Sequence, residues 1–188
     1  MALVKMKDLL RRAEEKNIGC GAFSVGNMEM VRGAIRAAEE LDTPIILQIA
    51  EVRLKNSPLH LMGPMMVQAA KEAKVDVAVH LDHGLTFETV DKALELGFTS
   101  VMLDASTLPF EENIARVKAV VEKARKYGAT VEAELGCSFS SAFLRFSMAS
   151  APSPRMESST LFSKASSGFS DRSIPITPNT PPPVRSAR

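Results

Sequence analysis

Between residues 1 and 136, short apolar runs that suit β-strands alternate strictly with longer segments whose apolar residues recur at helical spacing. Asn27 and Thr86 stand where N-caps are expected, and Gly97 and Gly128 follow two of the helical segments. Strict alternation with short connections predicts a parallel sheet with right-handed helical crossovers. Two architectures satisfy this pattern, a doubly wound sheet and a (β/α)8 barrel.

The polarity of the two strand faces distinguishes these architectures. In each predicted strand one set of alternate residues is apolar throughout, whereas the other set includes polar or acidic residues. A doubly wound sheet lies under helices on both faces, so both should be apolar. In a barrel, helices cover only the outside, and the inside can turn polar toward the active-site end. The sequence therefore predicts an α/β (β/α)8 TIM barrel, incomplete, with about five βα units.

Several carboxylates fall on the polar face, at or near the carboxyl ends of the predicted third, fourth and fifth strands. They are Asp82, Asp104, Glu132 and Glu134. Like charges crowded in a partly buried lumen repel one another unless a cation or a proton compensates. A single carboxylate could instead cap a helix or pair with a lysine, but the coincidence across three strands favours a shared divalent metal site.

The composition changes sharply at Gly136. From Cys137 onward Ser and Pro dominate, and only Glu157 and Asp171 remain as acids. The scattered apolar residues there cannot offset the entropy of ordering the segment. We therefore expect two parts, a folded domain over residues 1–136 and a Ser/Pro-rich tail over residues 137–188 that is disordered or the product of an out-of-frame or mis-spliced terminus.

Composition also limits the classes of partner and compartment. The 188 residues carry a formal net charge of +1, which gives no general preference for nucleic acid. Cys20 and Cys137 form no CxxC pair, and the chain contains neither a signal-like start nor an apolar run of about 20 residues. These features indicate a soluble, cytoplasmic protein with no nucleic-acid or membrane partner.

The segments GAFSVGNMEM, VHLDHG, GFTSVMLDAS, LPFEENI and VEAELG, in this order and spacing, resemble the class II ketose-bisphosphate aldolases, which act on fructose or tagatose bisphosphate. The resemblance covers residues 1–136. It implies a Zn2+ enzyme that reversibly cleaves fructose 1,6-bisphosphate to dihydroxyacetone phosphate and glyceraldehyde 3-phosphate through a zinc-stabilised enediolate, without a Schiff-base lysine. A phosphorylated sugar is then the substrate, the setting is glycolysis, and the intact family member is a homo-oligomer.

The resemblance also implies roles for individual residues. In the family's HxDH element, the aspartate moves the proton of the C4 hydroxyl and the second histidine binds zinc. Asp82 and His83 occupy these two positions here. Asp104 and Glu134 match carboxylates that hold the metal in an alternative or second position. Ser24 occupies the place of an asparagine that contacts substrate. This replacement leaves open which sugar bisphosphate is preferred.

We expect structural rather than catalytic roles for three other polar residues. We expect His80 to pack or to support the ligands rather than bind metal, and Glu132 to balance charge. His60 is expected at the surface, near the start of a helix.

The chain also departs from the family pattern. Ala50 and Glu51 stand where a serine is expected, no histidine follows His83, and the Gly-rich phosphate-binding loops are missing. The family takes two further histidine ligands from later strands. These departures predict a truncated aldolase that is inactive alone. The alternatives are a non-catalytic half-barrel that binds or assembles with a partner, and another metal-dependent barrel lyase.

Overall fold

A computed structural model describes residues 2–135 and the backbone of residues 145–148. The α-helices in this part are α1 Met6–Glu15, α2 Met28–Glu40, α3 Leu59–Glu72, α4 Phe87–Glu95 and α5 Phe110–Tyr127, with a 3-10 turn at Glu51–Arg53. The strands are β1 Gly21–Ser24, β2 Ile45–Ala50, β3 Val77–Gly84, β4 Ser100–Leu103, β5 Thr130–Glu134 and β6 Arg145–Met148. None of these helices combines the length and the apolar composition that crossing a membrane requires.

The strands form one sheet in the order β1-β2-β3-β4-β5-β6. The first five are parallel and alternate with helices, as the sequence predicted for part of a TIM barrel. Strand β6 pairs antiparallel with β5. It lies inside the predicted tail, residues 137–188, and the rest of that tail lies outside the described residues, so its predicted disorder stays a prediction.

The apolar face of the sheet packs under helices α2 to α5. Its strand residues are almost fully buried, namely Ile45, Leu47, Ile49, Val77, Val79, Leu81, Val101, Leu103 and Val131. They meet helical residues spaced three or four apart, such as Val31, Ile35 and Ala38 of α2. This core fixes which residues of each strand face outward, and therefore which face the lumen.

Helix α1 occupies the lumen side at the beginnings of the strands. Met6 and Leu9 pack against Ile46 and Ala78, which are the second residues of β2 and β3 on the inward face. This end of the sheet is therefore apolar and covered. The acidic inward residues lie toward the opposite end, where β3, β4 and β5 finish.

Candidate metal and substrate site

The end of β3 carries an acid and an imidazole on neighbouring residues. In a regular strand Asp82 and His83 would point to opposite faces. Here the pairing with β4 passes from Leu81 opposite Val101 to Gly84 opposite Leu103, so β3 holds one extra residue. His83 lies in this bulge with φ 43°, a left-handed conformation. Its Nδ1 lies 3.0 Å from Oδ2 of Asp104, which follows β4.

Gly84 allows the backbones of β3 and β4 to come close together. A Cβ at this position would overlap the backbone carbonyl oxygen of Met102. The Gly84 carbonyl accepts a hydrogen bond of 2.7 Å from the Asp104 N–H. The glycine therefore sets the separation at which Asp104 meets His83, which explains physically why the segment HLDHG ends in glycine.

His83, Asp104 and Glu134 form a cluster whose potential ligand atoms all lie within 4.8 Å of one another. Glu134 ends β5 and is 6% exposed, and its Oε2 has no hydrogen-bond partner among the residues described. The buried amide of Asn113 donates to the Glu134 backbone carbonyl at 2.8 Å. Asp104 is held from its other side, because its Oδ1 accepts from the Ser106 N–H at 3.0 Å and the Ser106 hydroxyl at 2.6 Å.

The electrostatics of the cluster favour a cation beside the carboxylates. The hydrogen bond to Asp104 raises the pKa of His83, burial opposes this, and the nearby charges of Asp82, Asp104 and Glu134 raise it further. Burial acts to raise the pKa of Asp104, but hydrogen bonds from Ser106 and His83 outweigh burial and hold the pKa below its ordinary value. Imidazole and carboxylate donors together suit Zn2+ and similar divalent ions.

Asp82 is buried beside this cluster and is oriented by Gln48 of β2. The Gln48 amide donates to Asp82 Oδ2 at 3.0 Å and to the Ser24 hydroxyl at 3.2 Å. The buried Asp82 Oδ1 has no hydrogen-bond partner in the described part of the chain. No role was predicted for Gln48, although its place on the polar face near the end of β2 was the available signal.

The remaining histidines are not part of the cluster of His83, Asp104 and Glu134. His80 is buried one inward position before Asp82, with Nδ1 2.9 Å from the Ser100 hydroxyl and Nε2 3.3 Å from Glu132. Its two ring nitrogens thus face a serine and a glutamate inside the lumen. His60 is exposed in the first turn of α3.

Comparisons with known proteins identify the family to which this sequence is similar. The family model described as "Fructose-bisphosphate aldolase class-II" matches residues 4–142. The chain is 48% identical over 134 residues to a fructose-bisphosphate aldolase of Thermus caldophilus, covering 71% of this chain and 44% of that protein. It is 45% identical over 139 residues to a probable fructose-bisphosphate aldolase of Bacillus subtilis strain 168, covering 72% and 49%.

The fold of this chain is also similar to that of a solved aldolase structure. The crystal structure of the YdjI aldolase from Escherichia coli K12 superposes with a TM-score of 0.69 at 36% identity, covering 73% of this chain and 54% of that one. The chain spans about half the length of the curated relatives it matches. Because the family model matches well over half of these 188 residues, the chain belongs to the class II fructose-bisphosphate aldolase family.

Proposed function

We propose that this chain supplies the metal-binding and proton-transfer half of an aldolase active site for the reversible cleavage of fructose 1,6-bisphosphate to dihydroxyacetone phosphate and glyceraldehyde 3-phosphate. The observation that carries the proposal is the convergence of His83, Asp104 and Glu134 beside a buried Asp82 at the carboxyl ends of parallel strands. In barrels of this kind the active site lies at that end.

His83, Asp104 and Glu134 would hold a divalent cation, with Zn2+ as the proposed ion. The residues present fit this role, because one imidazole and two carboxylates form a compact donor set and Glu134 buries an oxygen that no described group satisfies. A bound Zn2+ would supply Lewis-acid stabilisation to the oxygens of the cleaved ketose. The cluster would also gain a positive charge that offsets its crowded carboxylates.

Asp82 is proposed to move the proton of the substrate's C4 hydroxyl. Its Oδ2 is fixed by the Gln48 amide, while Oδ1 remains available to accept a proton. A general base must lie within hydrogen-bond reach of the proton it takes, so a fixed orientation directly favours the transfer. Its position next to His83 places the proton acceptor beside the proposed metal.

Ser24 is proposed to contact the phosphorylated sugar. It ends β1 at the same edge as Asp82, is exposed, and shares the Gln48 amide with it. A hydroxyl linked to the general base through one amide couples substrate binding to the orientation of Asp82. We propose fructose bisphosphate rather than tagatose bisphosphate as the substrate, because the relatives are named fructose-bisphosphate aldolases.

We further propose that the 188-residue chain is inactive by itself, that the reaction to which it contributes is a cytoplasmic step of glycolysis, and that the intact family member is a homo-oligomer. Zinc catalysis and phosphate binding in the family draw on groups beyond the five parallel strands found here. The half-barrel that only binds a partner is not favoured, because the chain belongs to an aldolase family and His83, Asp104 and Glu134 form a compact donor set.

Two measurements test the proposal. Calorimetric titration of the whole chain with Zn2+ should give binding that weakens strongly in His83→Ala and is unchanged in the control His60→Ala, which alters an exposed histidine. For activity, residues 1–136 should replace the matching half of the Thermus caldophilus relative. The hybrid should cleave fructose 1,6-bisphosphate, with kcat lowered by about 100-fold or more in Asp82→Asn. A folded hybrid without aldolase activity would reject the proposed function.

A further inference from the structure

Glu51, the first residue after β2, extends its carboxylate to the segment that follows His83 and Gly84. Its Oε2 accepts hydrogen bonds from the backbone N–H of Leu85 at 2.5 Å and of Thr86 at 3.3 Å. Its Oε1 accepts from the hydroxyls of Thr86 at 3.2 Å and Thr89 at 2.9 Å. One side chain thus receives four hydrogen bonds from the beginning of helix α4 and the turn before it.

These contacts begin at the point where β3 no longer pairs with β2. The pairing of β2 with β3 ends at Ala50 opposite Asp82. On the β4 side, the following segment is held by the hydrogen bond from the Asp104 N–H to the Gly84 carbonyl. On the β2 side, the backbone N–H groups of Leu85 and Thr86 are held by the Glu51 carboxylate. His83, with its left-handed backbone, lies between the end of the ladder and these two anchors.

We propose that Glu51 is a positioning residue that keeps His83 in its left-handed conformation and its imidazole directed at Asp104 and Glu134. A non-glycine residue in this region is held there by its surroundings. Removing one of the two anchors lets the backbone of His83 relax toward an extended conformation, which turns the ring away from the carboxylates. The metal-related part of this inference rests on the proposed function.

A simpler explanation is that Glu51 only stabilises the N-terminus of α4, where a negative charge is favourable. However, α4 already has its own N-cap, because the Thr86 hydroxyl accepts a hydrogen bond of 3.1 Å from the Thr89 N–H. Both backbone N–H groups bound by Glu51 belong to residues 85 and 86, before the first helical residue. The bonds therefore fix the turn that follows His83 and Gly84 more directly than they fix the helix.

The test compares Glu51→Ala, Glu51→Gln and the control Glu88→Ala in the whole 188-residue chain. Glu88 is an exposed glutamate of α4 whose carboxylate pairs with Lys92 of the same helix. Two properties are measured: the Cα and Cβ chemical shifts of His83 by NMR in the metal-free protein, which report its backbone conformation, and the affinity for Zn2+ by calorimetry.

Glu51→Ala should move the His83 shifts toward extended values and weaken Zn2+ binding by about tenfold or more, the effect typical of losing a group that orients a ligand. Glu51→Gln should lose at most about threefold, because its amide oxygen can accept the backbone N–H bonds while its NH2 donates to the threonine hydroxyls. Glu88→Ala should change neither property.

A folded Glu51→Ala protein with unchanged His83 shifts and unchanged Zn2+ affinity overturns the inference, even if it is less stable, because a helix cap alone predicts that result. If Glu51→Ala does not fold, Glu51→Asp replaces it, since its carboxylate is one methylene too short for the same contacts. If the unsubstituted chain binds no Zn2+ while Glu51→Ala still moves the His83 shifts, the proposed function fails and the positioning role stands.

Discussion

Substituting Gly84 with alanine should damage the fold and the cluster of His83, Asp104 and Glu134 together. The added Cβ would overlap the Met102 carbonyl oxygen and lie 3.2 Å from Leu81 Cδ2 and 3.3 Å from Val90 Cγ2. The two side-chain atoms can shift by a few tenths of an ångström. The carbonyl oxygen belongs to the backbone of β4, so relief requires the ends of β3 and β4 to separate.

The energetic cost follows from what the separation breaks. Overfilling a packed interior costs about 1–3 kcal/mol, and the 2.7 Å hydrogen bond from Asp104 to the Gly84 carbonyl contributes about 1 kcal/mol. Because the overlap is with backbone, we expect the upper part of this range, about 3 kcal/mol in the free energy of unfolding. For a domain of this size that corresponds to a melting temperature lower by roughly 10 °C.

Thermal unfolding followed by far-UV circular dichroism measures this shift. The affinity for Zn2+, measured by titration, should also fall in the same variant, because Asp104 moves away from His83. The matched control is Gly33→Ala in α2, where an added Cβ meets no atom within 4 Å. Alanine is favoured over glycine in a helix by up to about 1 kcal/mol, so this control should raise the melting temperature. Equal melting temperatures for the Gly84 variant and the unsubstituted chain would refute the reasoning about close backbone approach.

Two further predictions concern the neighbours of the cluster. Asn113→Ala should lower the free energy of unfolding by about 2 kcal/mol in urea titrations, because it leaves the buried Glu134 carbonyl without its donor; an unchanged urea midpoint would count against it. The pKa of His83 is raised in the folded protein, so its ion pair with Asp104 contributes stability that is complete below the ordinary value of 6.5 and is lost as pH rises through the raised value. The test compares the free energies of unfolding of the unsubstituted chain and His83→Asn in metal-free buffer, because asparagine tolerates the left-handed backbone. The difference between the two should shrink as pH rises. A difference that does not depend on pH would contradict this assignment.

The positions of Asp82, Asp104 and Glu134 could be predicted from the sequence for a general reason. Strand residues alternate between faces with a period of two, and the carboxyl ends of parallel strands meet at one edge of the sheet. The apolar residues fix which face is outward, so the acidic residues must face the lumen. Periodicity and strand direction are local properties, which is why they can be read without coordinates.

The contacts of Gln48 and Glu51 could not be predicted in the same way. Gln48 bridges Ser24 and Asp82 from β2, and Glu51 binds a turn 34 residues further along the chain. Both contacts depend on how neighbouring strands align and where their pairing ends, which no single stretch of sequence encodes. The antiparallel strand β6 was not predicted for a related reason, because it is defined by its pairing with β5 and not by a pattern of its own.

The conformation of His83 connects the local irregularity to the proposed chemistry. Neighbouring side chains on one face of a regular strand, such as those of residues 80 and 82, are about 6.6 Å apart along the strand. Consecutive residues are only about 3.3 Å apart, but their side chains point to opposite faces. Placing the proposed proton-transferring carboxylate and the proposed metal ligand on consecutive residues of one strand therefore requires a break in the alternation. The extra residue in β3 and the left-handed backbone of His83 supply that break. The left-handed conformation costs about 1–2 kcal/mol, which the contacts of Gly84, Asp104 and Glu51 on either side must offset. Substitutions of these supporting residues are thus expected to affect the site as much as substitutions of the proposed ligands.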